Sequence, residues 1–382
     1  MIRLHETTFG EEEISAVVEC MRSTQVTSGE KVRTFEREFS ASNLLSCWDS
    51  VACNSGSSAN LLAISALVSS GRLRPGDEVI VSALSWSTTV WPLIQHGLVP
   101  VFVDCDAGTL CISPAAVAEA IGPKTRAIMP VHVYGNPCDM DALFALCRKE
   151  GLGLIEDCCE ALGAEYEGRP VGTFGDVATF SFYYSHHITT MEGGMVVTLN
   201  HDLAETLRIQ RAHGWVRDCE RPQVWTERFP GFDPKFLFVD IGYNLRMTEP
   251  QAAMGLCQLP KIKGIVEKRR ENLKRYQEAL PWLRVQKHSP GSSCFGFNFF
   301  VSGYRNRIAK ALNAAGIETR PIIAGNLARQ PALKRYPHRV SGSLQNADHV
   351  LDLGLSVGCH QGITEEDIQH VAKTLEALCG RG

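Results

Sequence analysis

The sequence holds 14 cysteines but not one C-x-x-C or C-x-C pair, so the usual spacings of zinc sites and iron–sulfur clusters are missing. The thiols read as buried and reduced, Cys158 and Cys159 lie side by side at a strand end, and no metal is expected. No apolar run approaches the roughly 20 residues of a membrane helix, and the start, MIRLHETTFGEEE, is too polar for a secretory signal. A cytoplasmic protein is therefore expected. An excess of one charge is missing too. Lys and Arg number 38 and Asp and Glu 42, a net charge of −4, so there is no basic field for a nucleic-acid backbone. Internal repeats and low-complexity tracts are absent.

What is present reads as an enzyme-sized α/β chain. Its 382 residues exceed the ~250–300 at which single cores stop growing, so two domains are expected. Short apolar runs recur at Gly76–Leu84, Leu98–Asp106, Thr125–Gly135, Gly151–Asp157, Val177–Tyr183 and Gly193–Leu199. Helical stretches such as SPAAVAEAI and CDMDALFALCRKEG separate several of them, the first opened by the cap pair Ser113 and Pro114. Continuous apolar strands alternating with helices predict a mainly parallel sheet covered on both faces. From Thr248, with Pro250 in its first turn, a long helical pattern predicts a bridge into a smaller C-terminal α+β domain. The division is placed at 1–246 and 247–382. The stretch Asp218–Phe238, rich in charge and aromatics, predicts an irregular loop.

Ligands of open parallel sheets gather at the carboxyl ends of strands. Asp157 stands at such an end, placed either to hold a protonated ring nitrogen or to cap a helix over CCEALGAEY. The phrase CNSGSSANLLAISAL sets Gly56, Ser57 and Ser58 at the start of an apolar helix. That is equally an anion cradle or a plain serine cap. Trp86, in SWSTT, follows another strand and could stack on a flat ring or simply pack. SFYYSHHITTMEGG carries the adjacent pair His186 and His187, and RAHGW carries His213. Imidazoles in such loops are more often packed or exposed than catalytic. The residues alone name no reaction.

Taken in order, SGSSANL, SWSTT, EDCCEALGA, GTFGDVATFSF, MEGGMV, RAHGW, GYNLRMTEPQAA and ETRPI resemble the DegT/DnrJ/EryC1/StrS sugar aminotransferases over nearly the whole chain. The resemblance implies the type I aminotransferase fold, pyridoxal phosphate (PLP) as cofactor, and a homodimer with shared sites. It gives Asp157 the pyridine nitrogen, Trp86 the ring face, and Gly56, Ser57, Ser58 and Ser181 the phosphate. Asn244 would be a phosphate ligand delivered to the other subunit. Glu160 would orient the cofactor's 3-hydroxyl edge, unless it is only a first-turn helix carboxylate. His213, Arg246 and Arg320 would face the substrate or its diphosphate.

One position departs from that pattern. Five residues after Ser181 the aminotransferases place the lysine that bonds to the cofactor; here His186 stands there, and no lysine occurs between Lys149 and Lys235. An imidazole cannot form an imine with an aldehyde. A subset of the family, the nucleotide-sugar 3-dehydratases, makes this exchange. That implies a lyase using PLP and pyridoxamine phosphate (PMP), with L-glutamate as amine donor. Its substrate would be an NDP-4-keto-6-deoxyhexose, GDP-4-keto-6-deoxy-D-mannose by overall likeness. His186, with an unperturbed pKa near ~6.5, would be the base. Another member type carries an iron–sulfur cluster on cysteines that include a C-x-C. Cys159 and Cys219 fall in comparable regions, but the C-x-C is lacking. A retired, non-catalytic binding protein would also explain a lost lysine, though not the other retained motifs.

Overall fold

The computed structural model describes residues 1–43, 48–303 and 305–380. The described residues form the strands β1 (Asp49–Cys53), β2 (Glu78–Ser82), β3 (Val99–Val103), β4 (Thr125–Met129), β5 (Gly153–Asp157), a hairpin of β6 (Glu165–Tyr166) and β7 (Arg169–Pro170), then β8 (Val177–Ser181), β9 (Gly194–Thr198), β10 (Phe297–Phe300), β11 (Arg339–Val340) and β12 (Gly354–Val357), and the six apolar runs supply β2, β3, β4, β5, β8 and β9. Eight of them form one sheet in the order β1-β9-β8-β5-β4-β2-β3-β11. Only β9 runs against its neighbours. The carboxyl ends of β1, β2, β5 and β8 therefore open on one edge, where a ligand of such a sheet is expected.

The core lies on both faces of this sheet. Val79, Val81, Phe102 and Leu62 belong to one cluster, and Phe35, Phe39, Phe180 and Phe182 to another. A third cluster, with Tyr276, Phe297, Phe299 and Leu375, surrounds the antiparallel pair β10 and β12. Several contacts cross residues 246 and 247, where the division is expected. β11 adds a parallel edge to β3, and Ile2 packs in the third cluster and bridges Ile317.

Three local expectations need correction. The bridging helix is not continuous. Glu249–Gln258 begins on a Thr248–Gln251 capping box and gives way to a 3₁₀ turn at Leu259–Lys261 before Ile262–Ala279, because Pro260 has no N–H for the α ladder. Asp218–Phe238 contains the short helix Pro222–Arg228. No helix forms over CCEALGAEY. The Cys158 N–H bonds across to the Thr179 carbonyl, and the chain makes tight turns with Gly163 at φ +76°. Among the described cysteines, Cys159, Cys257 and Cys379 are partly exposed and the others buried, all free thiols; Cys47 lies outside the described residues. Among the described residues no helix is long and apolar enough to cross a membrane.

Candidate active site

A cavity of about 510 Å³ opens at the carboxyl edge of the sheet. The helix Gly56–Ser69 points its N-terminus into it, capped by Ser55, whose Oγ accepts from the Ser58 N–H. That cap occupies Ser58, which does not line the cavity; Gly56 and Ser57 do, with free orientation toward an anion. A Cβ on Gly56 would fall 2.5 Å from the Ser181 Cβ, and one on Gly194 2.3 Å from the Ser55 carbonyl oxygen. Glycine at these two positions lets β8, β9 and the helix start converge into one cradle. Ser57 Oγ donates to Thr88 Oγ1 at 3.1 Å.

Asp157, 3% exposed, lies deeper in the same cavity. Its Oδ2 accepts from Asn60 Nδ2 at 3.0 Å and from Thr89 Oγ1 at 2.7 Å, and its Oδ1 from the Cys159 N–H at 3.1 Å. Three uncharged donors hold a carboxylate in a dry place without neutralising it, as a partner for a protonated ring nitrogen must be held. Sequence reasoning missed Asn60 and Thr89; the available signal was an amide set among apolar helix positions. Trp86, 57% exposed, stands on the cavity wall.

The two adjacent histidines part company. His187 is fully buried, donates Nε2–H to the Ser293 carbonyl at 3.1 Å and belongs to the core. His186 lines the cavity, its ring 5.1 Å from Phe295 and 5.9 Å from Tyr183. Its Nδ1 is buried with no hydrogen-bond partner. Burial first, then the positive charge of Arg320, pushes its pKa down to about 3, a correction to the unperturbed value expected from sequence. Among the described residues no lysine lines the cavity.

Glu160 also faces the cavity. Its Oε2 accepts from the Tyr134 N–H at 3.0 Å, and burial pushes its pKa up to about 7 against the opposing pull of Arg320 and that N–H. It is therefore no exposed helix carboxylate, because the helix that would have exposed it does not form. Arg320 donates Nε–H to the Tyr134 hydroxyl at 2.9 Å and lies over the Tyr134 and Phe295 rings. Tyr134 and Phe295 had no local signal in sequence. His213, Asn244 and Arg246 gather elsewhere. Arg246 donates to Asn244 Oδ1 at 3.2 Å and reaches His213 Nε2 at 3.4 Å, and none of the three lines this cavity.

Two groups of side chains elsewhere have metal-ligand spacing, His132–Glu156–Cys158 and Asp49–His201–Glu220. In the first, Glu156 is already bonded by the N–H groups of Gly172, Phe174 and Gly175. In the second, Arg208 pairs with both Asp49 and Glu220. Cys159 sits against Gly56, whereas Cys219 packs with Ile209, Val216 and Leu237.

The residues present suit PLP. The helix start at Gly56 and Ser57, with Ser181 beside it, suits a phosphate, the carboxyl of Asp157 suits a ring nitrogen, and the imidazole of His186 lines the same cavity. The comparisons agree. The chain is 39% identical to a dTDP-4-dehydro-2,6-dideoxy-D-glucose 3-dehydratase of Saccharopolyspora spinosa, covering 98% of this chain and 86% of that protein. It is 38% identical to the GDP-4-keto-6-deoxy-D-mannose 3-dehydratase of Yersinia pseudotuberculosis, covering 98% of each. A solved GDP-4-keto-6-deoxymannose-3-dehydratase with a trapped PLP–glutamate geminal diamine superposes with a TM-score of 0.91 at 36% identity, covering 98% of this chain and all of that one. With residues 7–376 matching its model, the chain belongs to the DegT/DnrJ/EryC1/StrS aminotransferase family.

Proposed function

We propose that the protein is a PLP/PMP-dependent nucleotide-sugar 3-dehydratase, a lyase that removes the C3 hydroxyl of an NDP-4-keto-6-deoxyhexose with L-glutamate as amine donor. The observation that carries this reading is the imidazole of His186, its Nδ1 without a hydrogen-bond partner, on the wall of a cavity that no described lysine lines. When bound, the cofactor supplies an amine that condenses with the C4 ketone and a ring that withdraws charge from the adjoining carbon.

The chain's own groups do the rest. Gly56, Ser57 and Ser181 bind the phosphate and replace the missing covalent tether, with Trp86 against the ring. Asp157 keeps the ring nitrogen protonated. Glu160, oriented by the Tyr134 N–H, holds the 3-hydroxyl edge. His186 takes a proton from the carbon beside the ring. Its low pKa keeps it neutral before reaction, and anions entering the cavity raise its affinity for the proton it must hold. Arg320 offers a donor fork to substrate oxygens.

A homodimer fits the remaining residues. His213, Asn244 and Arg246 lie outside their own cavity, near the exposed Phe236, Phe238 and Ile241, and a second copy would cover that face while receiving Asn244 at its phosphate. We place the reaction in the cytoplasm, where free thiols such as those of this chain persist.

Relatives at nearly equal identity act on dTDP and GDP sugars. GDP-4-keto-6-deoxy-D-mannose is our leading substrate, and the test carries both nucleotides. Purified protein with PLP and L-glutamate is incubated with GDP-, dTDP- and CDP-4-keto-6-deoxyhexoses, and products are read by mass. Loss of the C3 oxygen supports the reading; gain of an amine with that oxygen retained sinks it.

A further inference from the structure

The base assigned to His186 leaves one atom unattended. A neutral imidazole that is about to accept a proton has none on that nitrogen to give, yet the oxygen leaving C3 needs one to depart as water. We propose that Glu160 is the proton donor to that oxygen, so that acid and base are separate side chains on one cavity. This rests on the 3-dehydratase reading and adds a second catalytic residue to it.

The geometry is built for a carboxylic acid. Glu160 lines the same cavity as His186. Only its Oε2 is engaged, by the Tyr134 N–H, and Oε1 has no hydrogen-bond partner among the described residues. Tyr134 sits at φ +55° in the turn Val133–Gly135, a left-handed conformation that a tyrosine adopts only under constraint. That turn presents the N–H to the carboxyl. The nearest cation does not form an ion pair with it: Arg320 directs Nε–H to the Tyr134 hydroxyl and lays its guanidinium over the Tyr134 and Phe295 rings, 5.2 and 5.3 Å from their centres. The charged and titratable groups around Glu160 are Arg320, Asp157, the Tyr134 hydroxyl and the Cys159 thiol; Arg320 and the hydrogen bond from the Tyr134 N–H favour the carboxylate, Asp157 opposes it, and burial outweighs them and pushes the pKa up to about 7. A donor near neutrality is where general acid catalysis is most effective.

The balance closes without an oxidant. His186 takes a proton from the carbon beside the ring and leaves its electron pair behind. With the cofactor's amine condensed at C4, that pair would form a double bond to the joining nitrogen, the former nitrogen–C4 double bond would shift to C3–C4, and the C3–O bond would break with its electrons on oxygen. The oxygen takes the Glu160 proton and departs as water. Solvent returns a proton to the Glu160 carboxylate and removes one from His186.

Glu160→Gln is the test, because glutamine keeps the acceptor for the Tyr134 N–H but has no acidic proton. Any loss of the 3-hydroxyl contact lowers PLP affinity, read by absorbance titration, and slows both half-reactions alike, so the readout is the ratio of dehydration to the glutamate half-reaction, which expels no hydroxyl, each measured at saturating PLP. That ratio should fall by about 100-fold or more. In difference infrared spectra of the protein without substrate, a protonated-carboxyl band should titrate near pH 7 and be missing from the variant. Dehydration at the wild-type rate, equal losses in both half-reactions, or a band that titrates in the ordinary carboxylate range would each overturn the assignment. Wild-type protein that turns over glutamate but dehydrates no nucleotide sugar would instead refute the 3-dehydratase reading, and the infrared titration would still decide the protonation of Glu160.

Discussion

The side-chain amide of Asn60 donates to Oδ2 of Asp157 at 3.0 Å, and Asn60 is itself fixed by the Thr179 hydroxyl at 2.6 Å. The carboxylate is thus aimed by a residue of the same helix whose N-terminus forms the cradle. One helix carries both Gly56 and Ser57 at its start and the donor to Asp157. Asn60→Ala should leave Asp157 with only Thr89 and the Cys159 N–H as donors and less well held. A hydrogen bond to a charged group is worth about 1.5–3 kcal/mol, so PLP should bind roughly tenfold or more weakly in fluorescence titrations. A folded variant with unchanged affinity would show that Asp157 needs no such support.

His186→Asn should keep the cofactor and stop the chemistry. The asparagine fills the same wall without a group that titrates, so PLP binding should stay within a few-fold while dehydration falls about 100-fold or more. Borohydride treatment of the wild-type protein with PLP should trap no lysine-linked adduct on peptide mass mapping. Near-normal turnover in the variant would remove His186 from the base role.

His187 should behave as a core residue. Its pKa is held well below the usual 6.5, chiefly by burial and then by Arg269. The folded state therefore keeps it neutral while the unfolded state charges. Its contribution to stability is present above pH 6.5 and declines as the pH falls below that value. His187→Gln should cost about 1–3 kcal/mol at pH 7.5, through lost packing and the unpaired Ser293 carbonyl, and the deficit should shrink toward pH 5. Urea unfolding at the two pH values checks this. A deficit that grew on acidification would mean that His187 is charged in the fold.

Six strands of the large sheet were legible because each lies in an apolar run, and Ser113 and Thr248 cap helices as their neighbours suggested. β1 was not, since Asp49–Cys53 carries a charge and small side chains and earns its place only by pairing with β9. β11 is two residues long and exists through its partner β3. A helix over CCEALGAEY, one of the two readings of Asp157, does not form, and the Cys158 N–H bonds to the Thr179 carbonyl instead. At the site, the exchange of lysine for His186 was readable by counting. The charge states of His186 and Glu160 were not, because they depend on burial and on Arg320, Tyr134 and Phe295, all distant in sequence.

Glu160 should leave a mark on stability before any substrate is added. Its folded pKa, about 7, lies above its ordinary value of 4.5. Its favourable contribution is complete below about pH 4.5 and is lost as the pH rises to 7, an effect on the order of 3 kcal/mol. Glu160→Gln has no proton to lose. In cofactor-free protein the variant should therefore gain on wild type by that order between pH 4.5 and 8. A difference that does not vary with pH would mean that Glu160 titrates as an ordinary surface carboxyl.

His186→Lys tests the missing tether from the other side. The new ammonium would enter a buried wall beside Arg320, and both burial and that charge favour the neutral amine. A neutral amine at this place, five residues after Ser181, can attack an aldehyde carbon held between the Gly56–Ser57 cradle and Asp157. Borohydride should then fix PLP to Lys at position 186, readable as a mass gain on that peptide. With glutamate and a 4-keto sugar, the variant should shift from loss of oxygen toward gain of an amine, since lysine can return the proton to carbon and release the aminated sugar. A variant that binds PLP yet yields no trapped adduct would place residue 186 out of reach of the aldehyde, and the role given to His186 would fall with it.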